Sequence, residues 1–382
     1  MWLELIVYGF VLTLGLCVGS FLNVVILRLP EGLSVVHPPS RCPRCGYRLA
    51  ACQNVPVLSW LLLRGRCAGC SKPISVQYPL IELAFGVMAL GLCWWQIHRY
   101  SGELPFGLVV ELLSPMLVVQ VWLLACLLAA TVIDARYYMI PLVLCWSPFL
   151  VAAVVFPGSV AGGWPAVGPW VGTGWVEPVM GLTLGVLVSM ALLRMGVLKP
   201  SFADYEEVMQ AITGRAADTD VAGENALYPH ARREMLKEIA FLVPPAVGFV
   251  LGLSVASAAP VSGWLGALAG VLAGAAMGAG LVWGTRILGS LAFGKEAMGL
   301  GDVHLMAGVG AVLGWLDVTV AFFVAPFLGL LGTAVFTGLA SLKSARARVI
   351  PYGPYLAGAS VIALVAGDWL LEVLGFSAIF TP

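Results

Sequence analysis

Residues 117–133 read LVVQVWLLACLLAATVI, an uncharged apolar stretch that is followed directly by Asp134. A helix needs roughly 20 mostly apolar residues to cross about 30 Å of hydrocarbon, so such a stretch is typical of a membrane span. A carboxyl group at the end of a span is costly to keep there and is usually functional. The stretch therefore predicts a membrane protein and identifies Asp134 as a candidate functional residue.

The composition of the whole chain agrees with this interpretation. Of its 382 residues, 60% are hydrophobic and 10% are charged, whereas soluble domains carry about 25% charged residues. The sequence has no basic stripe interleaved with aromatic residues, so we expect no nucleic-acid partner. The N-terminal stretch MWLELIVYGF contains no basic residue. We interpret it as the start of a retained span rather than a cleaved signal.

Apolar runs and their breaks predict an all-α polytopic fold of about eight to ten transmembrane helices. The candidate spans are 5–27, 79–97, 115–133, 141–156, 179–193, 240–258, 263–288, 303–315, 319–339 and 356–371. With all ten spans, every basic residue except Arg99 falls on one side of the membrane. Lys and Arg concentrate in cytoplasmic loops, so that side is predicted to be the cytoplasm, with lipid around the spans.

The same pattern predicts how the chain is organised. Its parts are a first span in 1–29, a cytoplasmic cysteine-bearing loop in 30–78, spans that carry Asp134 in 79–156, two further spans in 157–260, and the remaining spans in 261–382. A mixed-charge cytoplasmic segment, 199–238, lies in the fourth part. Its end, HARREMLKEIAFL, predicts a helix that enters the next span.

The cytoplasmic loop contains two CxxC pairs, formed by Cys42, Cys45, Cys67 and Cys70. Each pair presents two thiolates from one tight turn, and two pairs complete the tetrahedral set that zinc prefers. Four cysteine ligands leave no open position for water, so the predicted zinc is structural. Gly46 and Gly69 are expected to give the two turns their backbone freedom. The alternatives are disulfides, which a reducing compartment disfavours, and a redox pair, which would need a thioredoxin-like βαβ pattern.

A second acidic residue begins a later span. Asp302 ends the stretch MGLGD, and on the predicted topology it lies in the same membrane layer as Asp134. Two carboxyl groups held close together share a proton, and such a pair suits peptide hydrolysis. Gly299 and Gly301 have no Cβ and would let a peptide backbone approach. Two simpler interpretations stay open, in which Asp302 caps a helix and Asp134 pairs with Arg136.

Further motifs occur in a fixed order. They are GSFLNVVILRLP at 19–30, NVPVLSW at 54–60, YPLIEL at 78–83, IP at 140–141, GKEAMGLGD at 294–302, GAVLGW at 310–315 and YGPY at 352–355. Together with the cysteine pairs they resemble the type IV prepilin peptidases, a family of GxGD aspartic peptidases. The resemblance covers most of the chain outside 156–260.

The resemblance implies an enzyme that cuts the leader of type IV prepilins or secretion pseudopilins at the cytoplasmic face of the bacterial inner membrane. In many members it also implies N-methylation of the new N-terminus with S-adenosylmethionine. The catalytic pair would be Asp134 and Asp302, and the four cysteines would bind zinc. No Rossmann-type glycine motif is present, so a methyl-donor site would have to form elsewhere. The alternative is a non-catalytic, zinc-stapled component of pilus or secretion assembly.

Three departures from the family pattern matter. Leu142 follows the Ile-Pro step where the family often has Asp, which leaves Asp134 as the candidate there. His304 replaces the usual Lys after the GxGD motif, and its partial charge near neutral pH could shift the pH optimum. Residues 157–260 form an insertion relative to the usual eight spans, so ten spans is an extrapolation.

A basic leader would also need acidic contacts on the cytoplasmic side. The candidates that the sequence offers are Glu82, Glu296, Asp204, Glu206 and Glu207.

Overall fold

The computed structural model describes residues 2–100, 106–164, 168–202, 231–257, 261–340 and 351–373. Its helices are α1 (Trp2–Arg28), α2 (Leu58–Leu62), α3 (Gln77–Tyr100), α4 (Phe106–Tyr137), α5 (Leu142–Ala161), α6 (Val176–Arg194), α7 (Ala231–Val255), α8 (Gly263–Phe293), α9 (Leu300–Leu313), α10 (Trp315–Ala340) and α11 (Gly353–Val373). Within these ranges, nine helices are long and apolar enough to cross a membrane. The predicted all-α, multi-pass membrane fold is confirmed.

Helix α9 is the exception among the predicted spans. It has 14 residues, which is about 21 Å of helix and too short for an ordinary span. Every residue from Asp302 to Val312 except His304 is buried. A helix that is apolar on all sides and surrounded by other helices belongs to a core. The span predicted at 303–315 is observed as a short central helix that ends at Leu313, with Trp315 already in α10. It runs from Gly301, which contacts Ile140, to Gly314, which lies against Pro169.

Small residues let α9 approach its neighbours. A Cβ on Gly274 of α8 would overlap the carbonyl oxygen of Gly310 on α9, so the two backbones touch. The helix pair α6 and α7 packs in the same way, since a Cβ on Gly181 would overlap the carbonyl oxygen of Gly248. In lipid, helices gain little from burying apolar side chains against each other, so close backbone packing of this kind holds them together.

The helix predicted from HARREMLKEIAFL is observed. Residues 231–238, which the sequence assigns to the end of a polar segment, form the first turns of α7. Residues 203–230, with the acidic candidates Asp204, Glu206 and Glu207, lie outside the described part of the chain, as do the basic residues of 343–348.

Candidate active site

Asp134 lies in the last turn of α4 and is buried. Its Oδ2 accepts a hydrogen bond of 3.1 Å from the backbone N–H of Gly353, the first residue of α11. The first N–H groups of a helix have no partner within the helix, and the helix dipole favours negative charge at this end. A Cβ on residue 353 would lie 2.6 Å from Oδ2. Only glycine therefore allows this contact without a shift.

Asp302 is the third residue of α9 and is also buried. Its backbone N–H donates to the carbonyl oxygen of Gly299 at 3.2 Å. Gly299 occupies the N-cap position of α9, so the interpretation of Asp302 as the N-cap is wrong. The carboxyl group is thus inside the first helical turn, where orphan N–H groups favour an anion.

Ile140, at the turn between α4 and α5, joins the two aspartates into one site. Its Cδ1 lies 3.2 Å from the Cβ position of Gly353, which binds Asp134. Its Cβ lies 3.4 Å from the Cβ position of Gly301, which precedes Asp302. The two carboxyl groups are also close enough to interact electrostatically. Two residues far apart in the sequence therefore share one buried site at one end of the bundle.

The other residues singled out by sequence lie around this site. Arg136 donates to the side chain of Gln77. The Cβ position of Gly301 faces Ile140, whereas that of Gly299 has only Asp302 Oδ2 at 3.4 Å and a backbone nitrogen at 4.0 Å nearby. Of the two glycines, Gly299 is the one that leaves room beside the carboxyl group.

His304 points toward α5 rather than along the turn that carries Asp302. The centroid of its ring lies 5.6 Å from that of Trp146. Residues two apart on a helix do not face each other. A direct contact between His304 and Asp302 is therefore not expected from the helix geometry.

The four loop cysteines form a second cluster, outside the membrane spans. The Sγ atoms of Cys42, Cys45, Cys67 and Cys70 all lie within 4.8 Å of one another, a grouping that could hold a metal ion. Sγ of Cys45 and Sγ of Cys67 are 3.9 Å apart. Tetrahedral zinc with Zn–S bonds of about 2.3 Å places its sulfurs about 3.8 Å apart, so the cluster fits zinc. All nine cysteines of the chain are free thiols, which contradicts the disulfide alternative.

The two CxxC turns are built alike. The N–H of Cys42 donates to Tyr47 O at 2.9 Å, and the N–H of Cys67 donates to Lys72 O at 2.9 Å. Backbone N–H groups of Arg44 and Cys45 lower the pKa of Cys42 to about 6. These N–H groups favour the thiolate of Cys42, which is the form that binds metals.

One prediction about these turns needs correction. Gly46 has the expected positive φ of 73°, but the equivalent position of the second turn is Ser71, with φ 55°. Gly69 is needed for another reason, since a Cβ there would lie 2.9 Å from the side chain of Tyr47. Its role is close packing of the two turns against each other.

Two family models match the chain. The Bacterial Peptidase A24 N-terminal domain matches residues 13–97, which contain the cysteine cluster. The Type IV leader peptidase family matches residues 241–334, which contain Asp302. In both segments the chain resembles the type IV leader peptidase family. Asp134 lies between the two matched segments, so its assignment depends on the geometry described above.

Relatives of the chain carry one common description, prepilin leader peptidase/N-methyltransferase. The protein of Pseudomonas putida is 28% identical over 95% of this chain and 93% of its own length. The protein of Pectobacterium carotovorum subsp. carotovorum is 27% identical over 95% of both chains. The protein of Myxococcus xanthus (strain DK1622) is 44% identical over 40% of this chain and 38% of its own length. No solved structure matches the chain.

Glu82 connects the cysteine loop to the membrane domain. Its Oε2 accepts a hydrogen bond of 2.6 Å from the N–H of Val57, which has a positive φ of 60°. Asn23 of α1 donates to Tyr78 O at 3.1 Å beside it. Glu82 is buried, so its observed contact is with the protein's own loop.

Sequence reasoning missed two residues of this site. Gly353 stands in a quoted motif, YGPY, but nothing in the sequence assigns it to Asp134. Arg286 is buried in α8 and donates to Met298 O, just before the GxGD turn. The sequence could have identified Arg286, because a charged residue within an apolar span is a candidate functional residue.

Proposed function

We propose that this protein is a membrane aspartic endopeptidase that cleaves the leader peptides of type IV prepilins or secretion pseudopilins. The catalytic residues are Asp134 and Asp302. The observation that carries the proposal is the buried site in which Ile140 lies between Gly353, which binds Asp134, and Gly301, which precedes Asp302. The family match and the printed names of the relatives support the substrate class.

The two carboxyl groups would act together on a water molecule. Held close, they share one proton at neutral pH. The ionised group takes a proton from water, whose oxygen attacks the scissile carbonyl carbon, while the protonated group donates to the carbonyl oxygen. The tetrahedral intermediate then breaks its C–N bond, and the leaving amine receives a proton from the site. The N–H of Gly353 holds Asp134 in place throughout.

The active end of the bundle is proposed to face the cytoplasm of a bacterial inner membrane. The support is the distribution of basic residues, of which Arg99 alone falls opposite on the predicted topology. The basic cysteine loop is tied to the same end through Glu82. Prepilin leaders are basic, so the leader would lie on this side of the membrane.

Incubation of the purified protein with a prepilin or a pseudopilin tests the proposal. We expect cleavage at the end of the leader, identified by the mass and N-terminal sequence of the product. A prepilin that stays intact with folded, zinc-loaded protein would instead favour the non-catalytic assembly component.

The metal of the cysteine cluster is proposed to be zinc. Bound zinc would cross-link the two CxxC turns and thereby fix the fold of residues 30–78. Cys45→Ser and Cys67→Ser are expected to lower bound zinc from about one ion per chain to near zero, because three thiolates bind zinc more weakly. Elemental analysis of the purified protein measures this.

Cys52→Ser is the matched control for zinc binding. Cys52 is exposed, lies in the same loop and is outside the cluster. It should retain full zinc. Zinc retained in both Cys45→Ser and Cys67→Ser, or absent from the unmodified protein, would contradict the assignment.

Methylation of the new N-terminus is a second candidate activity, favoured by the common description of the relatives. The donor would be S-adenosylmethionine. Purified protein given labelled donor and previously cleaved pilin is expected to transfer label to the N-terminal amine. Asp302→Asn should transfer it equally, since this step does not hydrolyse a peptide. Absence of label with both proteins would restrict the function to proteolysis.

A further inference from the structure

A buried guanidinium lies beside the proposed active site. The side chain of Arg286, in α8, is 2% exposed. Its Nε donates to both carboxylate oxygens of Glu238 at 3.1 and 3.2 Å. Its Nη1 donates to Glu296 at 2.5 Å and to the carbonyl oxygen of Met298. A buried charge persists only when its partners are well placed, so these contacts fix the side chain firmly.

These contacts join three parts of the fold. Glu238 belongs to α7 and Arg286 to α8. Glu296 and Met298 belong to the segment between α8 and α9. Met298 directly precedes Gly299, the N-cap of α9. Arg286 therefore holds the backbone at the point where the GxGD turn begins.

Further hydrogen bonds hold the same segment. The N–H of Gly294 donates to Ser290 O at 2.9 Å, and the N–H of Ala297 donates to Ser290 Oγ at 3.1 Å. Arg232 of α7 donates to Leu291 O at 2.9 Å, at the end of α8. Helix α7 thus contacts the end of α8 directly, and it is linked to the following segment through Glu238 and Arg286.

The carboxylate of Glu238 is itself oriented. Trp283 of α8 donates its Nε1–H to Glu238 Oε2 at 2.7 Å. Phe202 covers the guanidinium, with its ring centroid 5.2 Å from Cζ of Arg286. The Phe202 ring shields the ion pair from water, and the hydrogen bonds hold both charged side chains in fixed orientations.

We infer that Arg286, oriented by Glu238, is a positioning residue that holds the Gly299–Asp302 turn so that Asp302 faces Asp134. The inference rests on the proposed peptidase function. Its basis is geometric: one guanidinium binds α7 on one side and the backbone before the catalytic turn on the other. Residues 231–238 of α7 lie just before the segment that the family model matches, residues 241–334. The contacts from Glu238 through Arg286 to Met298 are called the clamp below.

Steady-state kinetics test the inference. Arg286→Met is expected to lower kcat about 10- to 100-fold, because a displacement of about 1 Å at a catalytic group costs this much. KM should stay within about twofold, since substrate binding is not the function lost. Arg286→Lys should recover only part of the loss, because an ammonium cannot span the carboxylate and the carbonyl as a planar fork does. Glu238→Gln should also lower kcat.

A double variant separates one network from two independent effects. Arg286→Met with Glu238→Gln should be no slower than Arg286→Met alone, since both changes remove the same contact. The control is Arg99→Met, which breaks the ion pair with Asp368 near the far ends of α3 and α11. Its kcat should be unchanged.

Hydrogen exchange tests the clamp without any activity. In Arg286→Met, amides of residues 294–302 should exchange at least about tenfold faster than in the unmodified protein. In Arg99→Met they should not. If Arg286→Met is too unstable to purify, Arg286→Lys and Glu238→Gln carry the same test.

The outcomes distinguish the clamp from the peptidase itself. A folded Arg286→Met protein with unchanged kcat or unchanged exchange would overturn the clamp. A change in KM alone, or multiplicative losses in the double variant, would also overturn it. If the unmodified protein does not cleave in the same assay, the proposed function fails instead, and if Asp302→Asn still cleaves, Asp302 is not catalytic. An inactive Asp302→Asn beside a fully active Arg286→Met removes only the clamp.

Discussion

Asp134→Asn and Asp302→Asn are each expected to lower leader cleavage by about 10³-fold or more, while the protein stays folded. An amide cannot take a proton from water or return it to the leaving amine, and proton transfer of this kind contributes about 10²- to 10⁴-fold. In Asp134→Asn, the side-chain amide oxygen can still accept the N–H of Gly353, so the local structure is retained. Cleavage of a purified prepilin, followed by mass spectrometry, measures the loss.

Asp317→Asn is the matched control for the two variants. Asp317 is also an aspartate within the bundle, where its carboxyl group packs against Gly367 of α11. Gly367 lies about 21 Å along α11 from Gly353, far from the proposed site. Asp317→Asn should cleave at close to the normal rate. Cleavage retained in Asp134→Asn or Asp302→Asn would remove that residue from the mechanism.

Gly353→Ala is expected to lower kcat about 10- to 100-fold with little change in KM. The added Cβ would lie 2.6 Å from Asp134 Oδ2 and 3.2 Å from Cδ1 of Ile140. A contact of 2.6 Å must be relieved, and the carboxyl group can move only by losing the N–H that orients it. Alanine is the better helix former, so helix propensity does not account for a loss. Kinetics with a prepilin substrate give both constants.

Gly358→Ala provides the comparison for Gly353→Ala. Gly358 lies on the same helix, and its Cβ position is 3.5 Å from Leu328 Cδ1, an ordinary contact. This variant should keep its kcat. An unimpaired Gly353→Ala protein, or equal impairment of both variants, would show that the contact with Asp134 is unimportant.

The sequence is informative about the aspartates because each is attached to a strong local pattern. An uncharged run precedes Asp134, and the MGLGD turn ends at Asp302. Both patterns are readable without knowledge of the fold. The cysteine pairs are readable for the same reason, since ligand spacing within a loop is a local property.

Other parts of the site depend on contacts between distant residues. Gly353 binds Asp134 across 219 positions of the chain. Glu238 lies 48 positions from Arg286, and the sequence alone places it at the edge of a polar segment. The central position of α9 could not be predicted from the sequence either. An apolar helix in lipid and one in a protein core have the same composition, and only packing distinguishes them.

The hydrogen bond between α11 and Asp134 also has a consequence for biogenesis. Both aspartates are synthesised before α11 emerges, yet Asp134 gains its orienting N–H only from that helix. A nascent chain that has not yet inserted α11 therefore carries the two proposed catalytic groups without this contact. We therefore expect the proposed pair to become active only after α11 has joined the bundle.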